Sequence, residues 1–157
     1  MTATSSSQTG RREILVLHGP NLNLLGTREP ETYGSTRLAD IDAMLTRQAE
    51  AADYGVRIFQ SNHEGELVDL IQTHGDRVAG VLINPAALTH TSVALRDAFL
   101  AVEATVVEVH LSNTHRREAF RHHSYLADIA IGQVMGFGSD SYRLGMSGLI
   151  GYLERTG

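Results

Sequence analysis

The sequence predicts an α/β protein built on one parallel, doubly wound sheet. Five short apolar runs, most of them rich in β-branched residues, alternate with segments whose apolar residues recur three or four positions apart. This alternation is typical of βαβ units, because a helix must carry the chain back before the next parallel strand begins. The chain has 157 residues and no internal repeat, which fits a single domain.

The first half of the chain predicts two strands, each followed by a helix. In chain order the four elements are Glu13–Leu17, Leu38–Ala52, Val56–Gln60 and Leu67–His74. Gly55 and Gly75 are expected to stop the two helices, because glycine just after the last apolar position is typical of a helix C-terminus. Ser61 and Glu64 have the spacing of a capping box, which predicts the start of the second helix.

The second half of the chain predicts three strands and two helices. In chain order these elements are Val78–Ile83, Ser92–Val102, Val106–Val109, Ile129–Ile131 and Ser139–Glu154. Five strands favour the flavodoxin-like strand order, in which ligands bind beyond the carboxyl ends of the strands.

Two segments lie outside this regular pattern. Residues 1–12 are polar and lack the apolar core of a secretory signal, so they are predicted to form a disordered tail before a flavodoxin-like domain of residues 13–157. The segment from His18 to about Thr36 is longer than the ~2–6 residues of an ordinary βα connection, and we expect it to be functional or mobile. No apolar run approaches the ~18–20 residues that span a bilayer, so a cytoplasmic location is expected.

Composition excludes several kinds of chemistry. The chain has no cysteine, and all 13 residues counted as Lys+Arg are arginines. Thiol nucleophiles, thiolate metal sites and Schiff bases on a lysine side chain are therefore excluded. The net charge of −5 argues against a nucleic-acid-binding surface, which would need a basic face.

Polar side chains follow four of the predicted strands. They are His18, Asn21, Ser61, Asn62, Asn84, His90 and His110. A single histidine or asparagine after a strand is more often a cap or a loop hydrogen-bonding group than a catalyst. The carboxyl ends of parallel strands share one edge of the sheet, however, so this gathering of polar groups indicates a site there.

The fourth strand and the loop after it carry the densest functional signal. Glu108 and His110 are two positions apart, so on a strand both side chains point to the same face. Half of the chain's eight histidines lie between His110 and His123, together with Arg116, Arg117 and Arg121. This segment is predicted to be the centre of an active site.

The long first loop contains Arg28 and Tyr33, five positions apart. The simpler interpretation is an ion-pairing surface arginine and a packed tyrosine. The functional interpretation is a tyrosine that acts as a base, which requires its pKa to fall by about 3 units from ~10, or about 4 kcal/mol. One positive charge at ~4 Å in a partly screened site supplies about that much, so a fixed arginine is a requirement of this hypothesis.

Metal and phosphate sites have weaker support. His18, His90 and His110 could converge, but no carboxylate has the spacing of a motif such as HExxH. The segment HGPNLNLLG lacks the glycine spacing of a dinucleotide loop, and GFGSDS lacks the lysine of a P-loop. A flavin- or nucleotide-binding module and a metal-dependent hydrolase remain as alternatives at this point.

Three motifs, HGPNLNLLGTREPETYG, NPAALTHTSVALRDA and EVHLSNTHRREAFRHHSY, together resemble the type II 3-dehydroquinate dehydratases, from about Ile14 to Tyr152. The resemblance implies a cytoplasmic flavodoxin-like enzyme that uses no metal or cofactor and assembles as a dodecamer of four trimers. It implies dehydration of 3-dehydroquinate to 3-dehydroshikimate, by anti elimination through an enolate, in the shikimate route or quinate catabolism. Family members often have glycine and an aromatic residue where this chain has Ala86 and Leu88.

The resemblance also implies catalytic roles. Tyr33 would be the base that takes the C2 proton, with its pKa lowered by Arg28. His110 would protonate the departing C1 hydroxyl, with Glu108 orienting the imidazole. Asn21 would hold a water molecule against the enolate oxygen.

Substrate binding is implied for seven further residues, which are Asn84, His90, Asp97, Leu111, Ser112, Arg117 and Arg121. By the same resemblance the backbone amides of Leu111 and Ser112 bind the carboxylate, and Arg117 helps to close the loop over the site. Asp97 is implied to come from a neighbouring subunit of the trimer.

Overall fold

A computed structural model of the protein describes residues 10–27, 31 and 35–157. The part of the predicted tail before residue 10 lies outside the described residues, as do Arg28 and Tyr33. The predicted boundary between tail and domain stays a prediction.

The described residues form one five-stranded parallel sheet in the order β2-β1-β3-β4-β5. The strands are β1 (Glu13–His18), β2 (Gly55–Gln60), β3 (Gly80–Asn84), β4 (Val106–His110) and β5 (Gly132–Met135). The helices are α1 (Leu38–Ala51), α2 (Glu64–His74), α3 (Val93–Ala101) and α4 (Asp140–Thr156). This confirms the predicted flavodoxin-like, doubly wound fold.

Helices cover both faces of the sheet. On one face, Ile14 and Val16 of β1 belong to a buried cluster with side chains of α1 and α4. On the other face, Leu15 and Leu17 pack in a cluster with side chains of α2 and α3. Burial on both faces explains why β1 reads as a continuous apolar run rather than as an alternating one.

Strand register brings the polar strand ends to one edge of the sheet. His18 of β1 lies beside Gln60 of β2 and Asn84 of β3, and His110 of β4 lies beside Met135 of β5. The loops that leave these ends therefore start from a common edge, where the sequence predicts the site.

The predicted position of the fifth strand is wrong. Ile129 lies in a turn closed by its N–H donating to the Leu126 carbonyl at 3.1 Å, and β5 begins at Gly132. The reason is that β5 is an edge strand that is only partly buried. Its sequence, GQVM, therefore lacks the apolar character that a search for covered strands detects.

The predicted capping box is also wrong. Helix α2 begins at Glu64, and His63 occupies the N-cap position without a side-chain cap. The Ser61 hydroxyl instead accepts the His63 N–H at 2.9 Å and donates to the Glu66 carboxylate at 2.5 Å. Ser61 therefore organises the turn before the helix rather than its first residue.

Of the two predicted helix stops, Gly75 is confirmed and Gly55 is wrong. Gly75 follows α2 directly, and a Cβ there would lie 2.5 Å from the Ile71 carbonyl oxygen. Gly55 is the first residue of β2, whereas α1 has already ended at Ala51. Asp53 makes the turn with a positive φ of 66°, a conformation that aspartate tolerates better than most residues.

Among the described residues, no helix combines the length and the apolar character needed to cross a membrane.

Candidate active site

A cavity of about 330 Å³ opens at the carboxyl edge of the sheet. Its walls come from the segments after β1, β3 and β4, and Leu22, Leu24 and Leu25 contribute apolar side chains to it. Eight of the residues singled out in the sequence line it, namely Asn21, Asn84, His90, His110, Leu111, Ser112, Arg117 and Arg121. The fold thus gathers at one cavity residues that are spread over about 100 positions of the chain, while their individual roles remain predictions.

His110 is the last residue of β4 and is held from behind by Glu108. The two side chains lie on the same face of the strand, and 2.7 Å separates His110 Nε2 from Glu108 Oε1. Glu108 is fully buried and His110 is 6% exposed. Because the carboxylate engages Nε2, Nδ1 is the ring nitrogen left to act towards the cavity.

Glu108 is held by three further side chains, Thr89, Ser124 and Gln133. The Thr89 hydroxyl donates to Oε1, Ser124 Oγ lies 2.9 Å from each carboxylate oxygen, and Gln133 Nε2 donates to Oε2 at 2.7 Å. Burial alone would raise the pKa of the Glu108 carboxyl, but the hydrogen bonds from His110, Thr89 and Ser124 outweigh burial and lower the pKa. Glu108 therefore remains a carboxylate behind the imidazole.

Sequence reasoning missed these three partners of Glu108. Gln133 lies beside Glu108 in the β4–β5 register, so a correct placement of β5 would have pointed to it. Thr89 and Ser124 lie inside two of the recognised motifs, but nothing in their spacing indicates a contact with Glu108.

His90 reaches the cavity in a defined orientation. Its Nδ1 lies 2.8 Å from the backbone carbonyl oxygen of His123. A carbonyl oxygen only accepts, so Nδ1 carries the hydrogen, and in a neutral ring Nε2 is an acceptor. The His90 and His110 rings are nearly parallel, with centroids 6.4 Å apart. A ligand hydroxyl that lies in the plane of the His90 ring, opposite Nε2, can therefore donate to it.

Asn21 sits in a strained turn after β1 that is tied to the end of β2. It has a φ of 69°, and its N–H donates to Asn62 Oδ1 at 2.9 Å. Gln60 Nε2 donates to the same oxygen at 3.1 Å and to the Gly19 carbonyl at 3.2 Å. Asn62, a polar group predicted at this edge, thus supports the turn rather than lining the cavity.

Asn84 forms the wall beneath the segment that follows β3. It is 2% exposed, and its Oδ1 accepts the Ala86 N–H at 3.1 Å. This bond closes a turn in which Ala86 has a φ of 52°, a left-handed conformation that glycine adopts at lower cost. The alanine noted in the sequence therefore occupies a strained position beside the cavity.

The segment after β4 makes the cavity edge cationic. Leu111 and Ser112 follow β4 directly, and Arg117 Nη1 donates to Ser112 Oγ at 3.4 Å. Arg121 Nε donates to the Glu118 carboxylate at 2.7 Å, which orients its guanidinium. Arg117 directly follows the first of two short 3₁₀ turns after β4, and Arg121 ends the second.

His18 does not line the cavity, although β1 ends there. Its side chain is fully buried on the other face of the sheet from His110, between Asp42 and Tyr142. The possible convergence of His18 with His90 and His110 is therefore wrong. Within the described ranges, no group of three or more histidine, aspartate or glutamate side chains is arranged to hold a metal ion.

Besides Glu108, which lies buried behind His110, three of the predicted site residues are not placed at this cavity. Asp97 lies on α3, is exposed and does not line the cavity of its own chain. Arg28 and Tyr33 lie outside the described residues. Their loop leaves the described chain just after Leu24 and Leu25, which do line the cavity.

Comparisons with known proteins agree with one another. A family model described as Dehydroquinase class II matches residues 12–150. A relative from Trichodesmium erythraeum named 3-dehydroquinate dehydratase is 56% identical over 144 residues, which cover 92% of this chain and 96% of the relative. A protein of the same name from Stenotrophomonas maltophilia is 62% identical over 135 residues, covering 85% of this chain and 92% of that protein.

Solved structures give the same result. The crystal structure of a type II dehydroquinase from Butyrivibrio crossotus has a TM-score of 0.84 at 39% identity and covers 88% of this chain and 97% of its own. The crystal structure of a type II dehydroquinase from Propionibacterium acnes has a TM-score of 0.83 at 39% identity. The match covers 89% of this chain and 97% of that one.

Proposed function

This chain is an enzyme of the dehydroquinase class II family, and we propose that it dehydrates 3-dehydroquinate to 3-dehydroshikimate by a metal-free anti elimination. The observation that carries the proposal is the buried Glu108–His110 pair, set on the wall of a cavity that also holds Arg117 and Arg121. His110, with the Glu108 carboxylate behind it, can protonate a leaving hydroxyl. The two arginines beside it can bind a substrate carboxylate. We assign the reaction to the cytoplasm and to the shikimate route or quinate catabolism.

The reaction needs one base, one acid and a site for developing negative charge. The base takes the C2 proton, the electron pair forms an enolate, and the enolate then expels the C1 hydroxyl as the C1–O bond breaks. A proton given to that hydroxyl releases it as water, so the reaction requires no external oxidant or reductant.

His110 is proposed as the acid. Glu108 fixes Nε2, so the proton on Nδ1 of the imidazolium is the one available to the leaving hydroxyl. The lowered pKa of Glu108 supports this role, because a carboxylate stabilises an imidazolium beside it and a neutral carboxyl would not.

Tyr33 is proposed as the base, with Arg28 stabilising its phenolate. The loop that carries them departs from the cavity wall at Leu24 and Leu25, which supports their access to a bound substrate. Asn21 is proposed to hold a water molecule against the enolate oxygen, and its tied backbone supports a fixed position for it.

Substrate recognition is assigned to the rest of the cavity lining. His90 would accept a ring hydroxyl at Nε2, and Asn84 would bind a second one. The backbone amides of Leu111 and Ser112 would take the carboxylate, a use of strand-end amides that needs no particular side chain. Arg121 would add charge beside that carboxylate, and Arg117 would help to close the loop over it.

We further propose that the chain works as a dodecamer of four trimers in which Asp97 completes a neighbour's site. Its helix, α3, supports this because Val93 and Leu100 on it are 49% and 51% exposed, an apolar surface that a second copy would cover.

The proposed function is tested with purified protein and 3-dehydroquinate in the presence of a strong chelator. The product contains a carbon–carbon double bond conjugated to a ketone, so turnover appears as rising ultraviolet absorbance. Full turnover with chelator is expected. Absence of turnover, or turnover that the chelator abolishes, would contradict the metal-free elimination and would favour the metal-dependent alternative in the second case.

A further inference from the structure

Gln133, on the edge strand β5, is a polar side chain to which the elimination proposed above gives no role. It lies beside Glu108 in the β4–β5 register, and its Nε2 is 2.7 Å from Glu108 Oε2. Gln133 is exposed and lines a second cavity, of about 490 Å³, whereas Glu108 has no solvent exposure and does not line it. The Gln133 carboxamide therefore separates one oxygen of the buried carboxylate from this second cavity.

The two oxygens of Glu108 are held unequally by the other side chains. Oε1 accepts from His110 Nε2 and from the Thr89 hydroxyl. Ser124 Oγ lies 2.9 Å from each carboxylate oxygen and 2.7 Å from Thr89 Oγ, so its single hydrogen has three acceptors within reach. Gln133 is thus the only described residue that donates to Oε2 alone.

The orientation of the Gln133 carboxamide follows from the chemistry of its partner. A carboxylate accepts hydrogen bonds and donates none, so the amide nitrogen must face Glu108 Oε2. The reverse orientation would place two acceptor oxygens against each other. Because the acceptor is ionised, the bond is stronger than one between two neutral groups.

The cations near the site do not hold Oε2. Among the described residues, His110 is the only ion-pair partner of Glu108, and it engages Oε1. The guanidinium groups of Arg117 and Arg121, which line the first cavity, bond to other side chains. A carboxylate held through only one oxygen can still turn about its last carbon–carbon bond, so Gln133 is the group that prevents this rotation.

We propose that Gln133 is a positioning residue for the acid step: by holding Oε2 it fixes the plane of the Glu108 carboxylate and keeps Oε1 on His110 Nε2. The inference rests on the proposed function, in which the Nδ1 proton of the imidazolium passes to the departing hydroxyl. The ring that remains is neutral and keeps its Nε2 hydrogen on Glu108. A carboxylate free to turn would let the imidazole leave the orientation that this transfer needs.

Gln133→Met is the direct test, because methionine has a similar length and lacks a hydrogen-bond donor. We expect kcat for 3-dehydroquinate to fall about tenfold, since a hydrogen bond to a charged group is lost. KM should change less than about twofold, because Gln133 does not line the first cavity. Deuterium incorporation at C2 should stay near the wild-type rate, whereas a general loss of structure would lower it together with dehydration.

Two further variants separate the position of the donor from other effects of the substitution. Gln133→Asn keeps the carboxamide but shortens the side chain by one methylene, so its kcat should fall about as far as that of Gln133→Met. Gln48→Met is the matched control, because Gln48 Nε2 also donates at 2.8 Å, to the Arg143 carbonyl and to Ser147 Oγ, and lines neither cavity. It should keep the wild-type kcat and KM.

Exchange of the His110 Nε2 hydrogen with solvent, followed by NMR of histidine-labelled protein, tests the positioning without reference to activity. This hydrogen should exchange at least about fivefold faster in Gln133→Met than in the wild type and in Gln48→Met. Unchanged exchange, a wild-type kcat in Gln133→Met or Gln133→Asn, or an equal loss of dehydration and C2 exchange would each overturn the inference. A wild type that does not turn over 3-dehydroquinate but shows the exchange difference would refute the proposed function and leave the positioning of His110 by Gln133 standing.

Discussion

Four side chains hydrogen-bond the two carboxylate oxygens of Glu108, a residue with no solvent exposure. An unpaired carboxylate in such a place would become neutral, since burial penalises the charged form. Here the hydrogen bonds reverse the effect and lower the pKa. The ionised state of Glu108, and with it the proposed acid function of His110, depends on these neighbours.

Glu108→Gln should flatten the acid side of the stability profile. The folded-state pKa of Glu108 is lowered, so its stabilising contribution is present above the unfolded-state pKa of ~4.3 and is lost as the pH falls through the folded-state value. The variant lacks this titration. Its free energy of unfolding, measured with urea from about pH 6 to pH 3, should fall less steeply than that of the wild type.

Glu50→Gln serves as the control for that experiment, because Glu50 is an exposed carboxyl on α1 that does not line the cavity. It should follow the wild-type profile. A Glu108→Gln profile as steep as the wild type would show that the buried carboxyl does not titrate on unfolding as we expect.

What the sequence reveals at the residue scale is limited by distance along the chain. The Glu108–His110 contact can be predicted from the sequence, because residues two apart on a strand point to the same face. The contacts of Glu108 with Thr89, Ser124 and Gln133 span 19, 16 and 25 positions, and only the folded sheet brings them together.

The sequence predicts a strand or helix correctly where neighbouring elements bury it, because buried positions must be apolar. Strands β1, β3 and β4 are buried along nearly their whole length and were found from apolar runs. Strand β5 was misplaced because it lies at the sheet edge, half exposed, and its contribution to the site is a polar side chain, Gln133. The prediction of a capping box at the start of α2 is wrong for a related reason. The Ser61 hydroxyl bonds the His63 N–H and the Glu66 carboxylate, and no capping pattern specifies these partners.

Gly75 and Gly65 make a matched pair of tests at the two ends of α2. A Cβ at Gly75 would lie 2.5 Å from the Ile71 carbonyl oxygen and 2.7 Å from Val102 Cγ2, so Gly75→Ala should destabilise by about 1–3 kcal/mol. A Cβ at Gly65 meets nothing within 4 Å, so Gly65→Ala should stabilise by about 0.5–1 kcal/mol. Urea unfolding measures both, and equal effects of the same sign would contradict the packing described at the end of α2.

At the scale of the whole molecule, the alternation of strands and helices was enough to predict the fold, because a parallel sheet leaves few other ways to connect them. The alternation of strands and helices does not show how many copies of the chain assemble. Asp97 is exposed on α3 and absent from the cavity of its own chain, so its proposed role requires a second copy.

Mixing two inactive variants tests that role. Asp97→Ala and His110→Asn should each lose most dehydratase activity as pure assemblies. In mixed trimers a site is complete when it combines His110 of one subunit with Asp97 of its neighbour, so about a quarter of wild-type activity should return after joint refolding. Mixtures that stay inactive, or an Asp97→Ala enzyme with full activity, would rule out the shared site.

The central claim is that one side chain removes the C2 proton and a different one, His110, releases the hydroxyl. Its most direct test is exchange of the C2 proton of 3-dehydroquinate in D₂O, followed by NMR alongside dehydration. We predict that His110→Asn slows dehydration by about 10²–10⁴-fold yet still incorporates deuterium at C2, whereas Tyr33→Phe loses both activities. Normal dehydration by His110→Asn, or continued exchange by Tyr33→Phe, would contradict this division of roles.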